Sequence, residues 1–320
     1  MSRPPSLILP PGTRARGLET DRGVFAALDA APPDDVPRAG TVLMVPGFLG
    51  SKEDFLPLLA PLGAAGYRAV AVDGRGQHES GGPADEAAYD QDELAADVLA
   101  WTAALGDPPV HLLGHSMGAL VARAAVLSCA APCPWVSLAL MSSGPAAVRP
   151  AQQKRVRLLI DLLPVLSKET LWHEMRKEEV RDAELPPDVA DFLHRRWLNT
   201  VPEQLMATGR RLVTEPDRVA ELAVVPLPKL VLSGADDYAW PVHWQTDMAT
   251  RLAADHVIIQ GADHSPQVER PEQTADALIT FWTSVTVSHR TARSSSPAWD
   301  RRRTHALTAL AGRTDQGLEA

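Results

Sequence analysis

Cysteine, positive charge and long apolar runs are all scarce in this sequence. Its two cysteines, Cys129 and Cys133, lie in one Cys-Ala-Ala-Pro-Cys stretch. No second Cys/His pair is placed to complete a zinc site, so they read as helix-end thiols and no metal is expected. Lys and Arg number 31 against 40 Asp and Glu, a net charge of -9, which repels a phosphate backbone and argues against nucleic acid as a partner. The opening Met1-Ser2-Arg3-Pro4-Pro5 leads only to Leu7-Ile8-Leu9 before Pro10 and Pro11, too short for the apolar segment of a secretion signal. No apolar stretch approaches the ~20 residues of a spanning helix. The expectation is a soluble, cytoplasmic protein without integral membrane association. Internal repeats are absent as well.

What is present is an ordinary globular composition, 45% apolar and 22% charged over 320 residues, enough for one large core with an inserted subdomain. Short β-type runs alternate with longer helical ones, which predicts a mainly parallel sheet with helices on both faces. The strands are expected at 41–45, 67–72, 110–113, 136–141, 229–232 and 256–259. Helices are expected at 55–65, 93–105, 117–127, 242–253 and 272–282. An N-terminal hairpin is expected over 17–28, turning at Asp21-Arg22-Gly23. The alternation lapses between 149 and 225, which reads as a helical cap inserted into a core formed by 1–148 and 226–286. The Ser- and Arg-rich stretch 287–320 reads as a floppy tail.

Chemistry concentrates at three strand ends. Gly114-His115-Ser116-Met117-Gly118 is a G-x-S-x-G between an apolar strand and a helix, the context in which that motif makes a nucleophile elbow. A serine on so tight a turn needs small neighbours two positions away on each side, and Gly114 and Gly118 supply them. The helix that follows offers unpaired N–H groups and a positive dipole to a developing oxyanion. A serine hydroxyl also needs a base, and the base needs a carboxylate. Leu230-Val231-Leu232-Ser233 ends in Gly234-Ala235-Asp236-Asp237, and Val257-Ile258-Ile259 ends in Gly261-Ala262-Asp263-His264. Carboxyl ends of parallel strands share one edge, where ligands bind. His264 is the histidine with a strand-end loop position and is the expected base. Either Asp236 or Asp237 could serve as the acid.

These residues resemble the α/β-hydrolase superfamily from about Gly17 to Trp282. The resemblance is carried by Pro46-Gly47-Phe48, Asp73-Gly74-Arg75-Gly76, the Ser116 elbow, Gly234 to Pro241, and Asp263-His264-Ser265-Pro266. It implies the α/β-hydrolase fold and a triad of Ser116, Asp237 and His264. The Gly-x-x-Asp spacing, with Pro241 four residues on, selects Asp237 over Asp236. It also implies an oxyanion hole from the backbone N–H groups of Phe48 and Met117. Some relatives carry the acid after the preceding strand, but here that loop, Ser142-Ser143-Gly144-Pro145, has no carboxylate. Two positions depart from the common pattern: Pro46 precedes Gly47 where relatives often have histidine, and His78 stands where they often have glycine. Neither removes a catalytic group, but both weaken any transfer of substrate class.

The expected activity is hydrolysis of a carboxylic ester or related acyl substrate through an acyl-enzyme on Ser116, with no metal or organic cofactor. Serine at that position argues against the epoxide-hydrolase and haloalkane-dehalogenase branches, which place aspartate there. The same triad also serves lactonases, thioesterases, carbon–carbon bond hydrolases and cofactor-free perhydrolases, and the fold can serve as a non-catalytic ligand receptor. Trp172 and Trp197 in the cap, with Tyr238 and Trp240 at the site edge, are the candidate walls of an apolar or aromatic acyl pocket. The partner expected is therefore a small acyl substrate.

Overall fold

The computed structural model describes residues 2–106, 108–129, 132–179 and 185–294. Eight strands form one sheet: β1 (Thr13–Thr20), β2 (Gly23–Ala30), β3 (Gly40–Val45), β4 (Tyr67–Val72), β5 (Val110–His115), β6 (Trp135–Met141), β7 (Lys229–Gly234) and β8 (Asp255–Ile259). Their spatial order is β1-β2-β4-β3-β5-β6-β7-β8. The β1–β2 hairpin and the β2–β4 pair are antiparallel, and the rest are parallel. The hairpin pairs Thr20 with Gly23 across Asp21-Arg22, and its strands run beyond the expected span at both ends.

Strands β3, β5 and β7 are buried at every position, the pattern of parallel strands covered on both faces. Alternate side chains therefore enter two cores. Leu43 and Leu112 face one, with helices α2 (Gln91–Leu105), α3 (Met117–Ser128) and α9 (Val242–Leu252). Met44 and Leu113 face the other, with α1 (Leu56–Ala64) and α11 (Pro271–Ser294). Helix α11 continues well past Trp282, where the sequence reading ended it, because Val285 still has apolar core to cover. The expected floppy tail therefore does not begin at 287; its remainder, 295–320, lies outside the described residues.

Among the described residues, five helices separate β6 from β7: α4 (Pro150–Leu162), α5 (Lys168–Glu179), α6 (Pro187–Asn199), α7 (Pro202–Thr214) and α8 (Val219–Ala223). Pro150, Pro187 and Pro202 each open a helix, where a missing N–H costs nothing. Leu171, Trp172, Phe192, Leu193, Trp197 and Leu205 give this insertion its own apolar cluster, against which Phe48 and Leu49 of the core pack. Helix α8 instead packs on α3 and α9, so it sides with the sheet although the sequence reading placed it in the cap. Two buried ion pairs fasten the insertion: Arg196 of α6 with Asp54 at 2.6 Å, and Arg123 of α3 with Glu215 beyond α7 at 2.7 Å. Among the described residues, no helix is long and apolar enough to cross a membrane. Cys129 ends α3, and it and Cys133 are free thiols.

Candidate active site

Ser116 occupies the turn from β5 into α3 with φ 56° and ψ -120°, a conformation that costs a non-glycine residue about 1–3 kcal/mol. The turn is held by the Ser116 N–H, which donates to the Met141 carbonyl at 2.8 Å. Its flanking glycines are sterically required. A Cβ on Gly118 would stand 2.3 Å from the Val45 carbonyl oxygen, and one on Gly114 would stand 2.5 Å from Ala119 Cα. The helix can start this close to the sheet only because neither position has a side chain.

The loops after β7 and β8 bring the two expected partners to this turn. His264 Nε2 lies 2.9 Å from Ser116 Oγ, and His264 Nδ1 lies 3.0 Å from Asp237 Oδ1. A carboxylate accepts only, so Nδ1 carries the proton and Nε2 is left to accept from the serine hydroxyl. Asp237 Oδ1 also accepts the Ala239 and Trp240 N–H groups at 2.8 and 3.2 Å, and Oδ2 accepts Gln245 Nε2 at 3.0 Å. Burial pushes the Asp237 carboxyl up, but the attraction of His264 and these donors outweigh it and hold the group below its ordinary value. Asp236 is exposed, and the structure thus joins Asp237, not Asp236, to His264.

The loop after β3 lies directly against the serine, since a Cβ on Gly47 would come 3.0 Å from Ser116 Cβ. Among the described residues, neither the Phe48 nor the Met117 N–H donates to an acceptor within the chain. Two buried side chains fix the surroundings, and sequence reasoning did not find their roles. Gln77 donates from Nε2 to the Gly47 carbonyl at 2.9 Å while its Oε1 accepts the Gly74 N–H at 2.9 Å, which pins the Phe48 loop. His115 donates from Nε2 to the His264 carbonyl at 2.8 Å, and burial pushes its imidazole down to about 3, so it stays neutral. The one legible signal for His115 was its place beside Ser116.

Of the four aromatic residues expected to wall a pocket, one lies partly open beside the histidine: the Tyr238 ring is 5.1 Å from that of His264. Trp240 stacks on His264 at 6.1 Å but is 0% exposed, and its indole N–H donates to the Ala146 carbonyl, so it is packing rather than a pocket wall. Trp197 is likewise buried inside the insertion, donating to the Lys168 carbonyl at 2.7 Å. Trp172 belongs to the same cluster and stacks on His194 at 5.1 Å. A cavity of about 330 Å³ does adjoin Met117, with Tyr89, Gln91 and Glu86 on the core side and Arg210 and Arg211 of α7 opposite.

Comparison with known proteins agrees with this architecture. A Variovorax paradoxus protein named provisionally as the carbamate hydrolase RutD is 39% identical over 80 residues, 25% of this chain and 30% of that one. The chain thus matches less than a third of that relative's length. A thermophilic esterase from Thermogutta terrifontis superposes with a TM-score of 0.67 at 22% identity, covering 85% of this chain and 99% of the esterase. An esterase from Exiguobacterium antarcticum superposes with a TM-score of 0.70 at 20% identity, covering 84% of this chain and 100% of that one. At these identities the likeness is one of fold. The sequence model of the alpha/beta hydrolase family matches residues 42–277, which hold the strand ends bearing Ser116, Asp237 and His264, and the chain belongs to that family of hydrolases.

Proposed function

We propose that this hydrolase cleaves a carboxylic ester or related small acyl substrate through an acyl-enzyme on Ser116. The observation that carries the reading is the unbroken hydrogen-bonded chain from Ser116 Oγ through His264 to the buried Asp237. Ser116 Oγ attacks the acyl carbonyl as His264 Nε2 takes its proton. Asp237 holds the imidazole in the correct tautomer and stabilises its cation. The Phe48 and Met117 N–H groups, left without acceptors among the described residues, receive the oxyanion. Collapse expels the alcohol with the proton from His264, and a water activated by the same nitrogen then releases the acid and restores the serine hydroxyl. No step calls for a metal or organic cofactor. In this reading helices α4 to α7 act as the cap over the site, with Phe48 as the contact between cap and oxyanion loop.

The test is a substrate panel on the purified full chain: p-nitrophenyl esters from acetate to octanoate, an aryl carbamate, a lactone and a thioester. Turnover of at least one p-nitrophenyl ester is expected, and the dependence on chain length sizes the acyl site. Folded protein that binds such compounds tightly and turns over none of the panel would favour the ligand-receptor alternative instead.

A further inference from the structure

Away from the Ser116 chain, the turn after the Phe48 loop meets the segment after β4 in a charged cluster. Lys52 Nζ lies 2.8 Å from Glu53 Oε1, 2.9 Å from Asp73 Oδ2 and 2.7 Å from Glu79 Oε2. Three carboxylates thus surround one ammonium that is itself buried; burial and the neighbouring Glu53 push the Asp73 carboxyl up to about 7 and Glu79 is half exposed, so the excess is between one and two negative charges, part of it open to solvent. Arg196 nearby is engaged by Asp54 at 2.6 Å and does not offset it. Low-dielectric surroundings make such an imbalance expensive unless a cation or proton offsets it.

A second observation is independent of that charge count. The His78 side chain is only 6% exposed and makes no hydrogen bond to the described residues, its Nδ1 being buried without a partner among them. Glu53 Oε2 is also buried and accepts no well-formed hydrogen bond among the described residues, the nearby Ser51 side chain acting on this carboxyl only to lower its pKa. Buried polar atoms are ordinarily paired, and two orphans of complementary chemistry in one cluster need an explanation. Lys52 holds Glu53 by Oε1 and Glu79 by Oε2, which leaves Oε2 of the first and Oε1 of the second free of it. Glu79 Oε1 stands 4.0 Å from His78 Nε2, too far for a hydrogen bond. One ligand atom from each of Glu53, His78 and Glu79 lies within 4.8 Å of the other two. Ligands of one ion with bonds of about 2.0–2.2 Å stand roughly 3–4.3 Å apart, so a small turn of the exposed Glu79 side chain closes the site.

We propose that Glu53, His78 and Glu79 bind one divalent transition-metal ion, with Zn²⁺ the best chemical match. One imidazole and two carboxylates suit that ion, and its charge offsets the carboxylates that Lys52 leaves unbalanced. The site shares no residue with the Ser116 chain and does not depend on the hydrolytic mechanism. Its role is structural: the ion ties the turn that follows the Phe48 loop to the segment after β4. That segment is already held to α6, where the His78 N–H donates to Thr200 Oγ1 at 3.3 Å and the ring meets Phe192 edge-on at 5.4 Å.

The experiment is equilibrium dialysis of Zn²⁺ against the chelator-treated full chain, with thermal melting alongside. Glu169, which lies 3.3 Å from His173 and 3.0 Å from His194, is an exposed competitor, so a His173→Ala/His194→Ala parent is used. The parent is expected to hold a Zn²⁺ that raises its melting temperature. Glu79→Gln and His78→Asn are each expected to weaken that binding at least about tenfold and abolish the shift, since ligand loss outweighs the tenfold and larger effects of outer partners. Asparagine is chosen because position 78 has φ 41°, which it tolerates, and Glu79 is 54% exposed, so its replacement spares the fold. No Zn²⁺ retained by the parent, or binding unchanged in both variants, would overturn the site.

Discussion

Replacing Ser116 with alanine is expected to lower ester turnover by about 10⁴- to 10⁶-fold while leaving the melting temperature near that of the parent. The size follows from the proposed mechanism, in which no acyl-enzyme can form without Oγ and only the proposed oxyanion donors and substrate positioning remain to assist water. The fold should tolerate the change because Ser116 is held by its backbone, the N–H bond to Met141, rather than by its hydroxyl. Alanine also removes the acceptor-seeking O–H that faces His264, without creating a large cavity. Steady-state kinetics of Ser116→Ala beside a thermal melt separates the two effects. A variant that keeps more than about one hundredth of the parent rate would show that the serine is not the nucleophile.

Arg196→Met is expected to be the most destabilising single change at the joint between insertion and core. Arg196 is 1% exposed and donates to Asp54 Oδ1 at 2.6 Å and to the Ser2 carbonyl at 2.8 Å. Burial already pushes the Asp54 carboxyl up, and the guanidinium opposes that. Removing it leaves a fully buried carboxylate without a counter-charge, a loss of about 3–5 kcal/mol. For a domain of this size that corresponds to a fall of roughly 5–8 °C in melting temperature. The double variant Arg196→Met/Asp54→Leu should recover much of the loss, because the stranded charge is gone. Arg210→Met, which breaks an exposed pair with Glu86, should change stability by less than about 1 kcal/mol. If Arg196→Met melts no lower than Arg210→Met, the pair does not fasten the insertion.

The fold was legible where burial imposes a pattern. Strands β3 to β8 were placed to within two residues, β3 to β7 because strands covered on both faces read as apolar runs, and the more exposed edge strand β8 from its Val257-Ile258-Ile259 run. Ser116 was legible because the elbow demands glycine at 114 and 118, and its partners because strand ends in a parallel sheet share one edge. Choosing Asp237 over Asp236 needed the family's spacing, since two adjacent carboxylates are locally alike; in the structure only Asp237 is buried with donors around it.

What stayed hidden depends on contacts between distant parts of the chain. Arg196 and Asp54 are 142 positions apart, and His115 and the His264 carbonyl 149, separations at which no local pattern connects two residues. The aromatic residues misled for a related reason: a tryptophan in an inserted helix is equally suited to a pocket wall and to a small core. The structure puts Trp197 and Trp240 in the packed interior. Helix α11 outran its expected end because Val285 lies on the face that continues the apolar stripe, in a stretch that is otherwise mostly polar.

The most direct test of the account is to treat the folded protein with a fluorophosphonate and map the adduct by mass spectrometry. The hydrogen-bonded chain from Ser116 through His264 to Asp237 predicts a single adduct on Ser116, formed together with loss of ester turnover. An adduct on another residue, or full turnover after Ser116 is blocked, would contradict it.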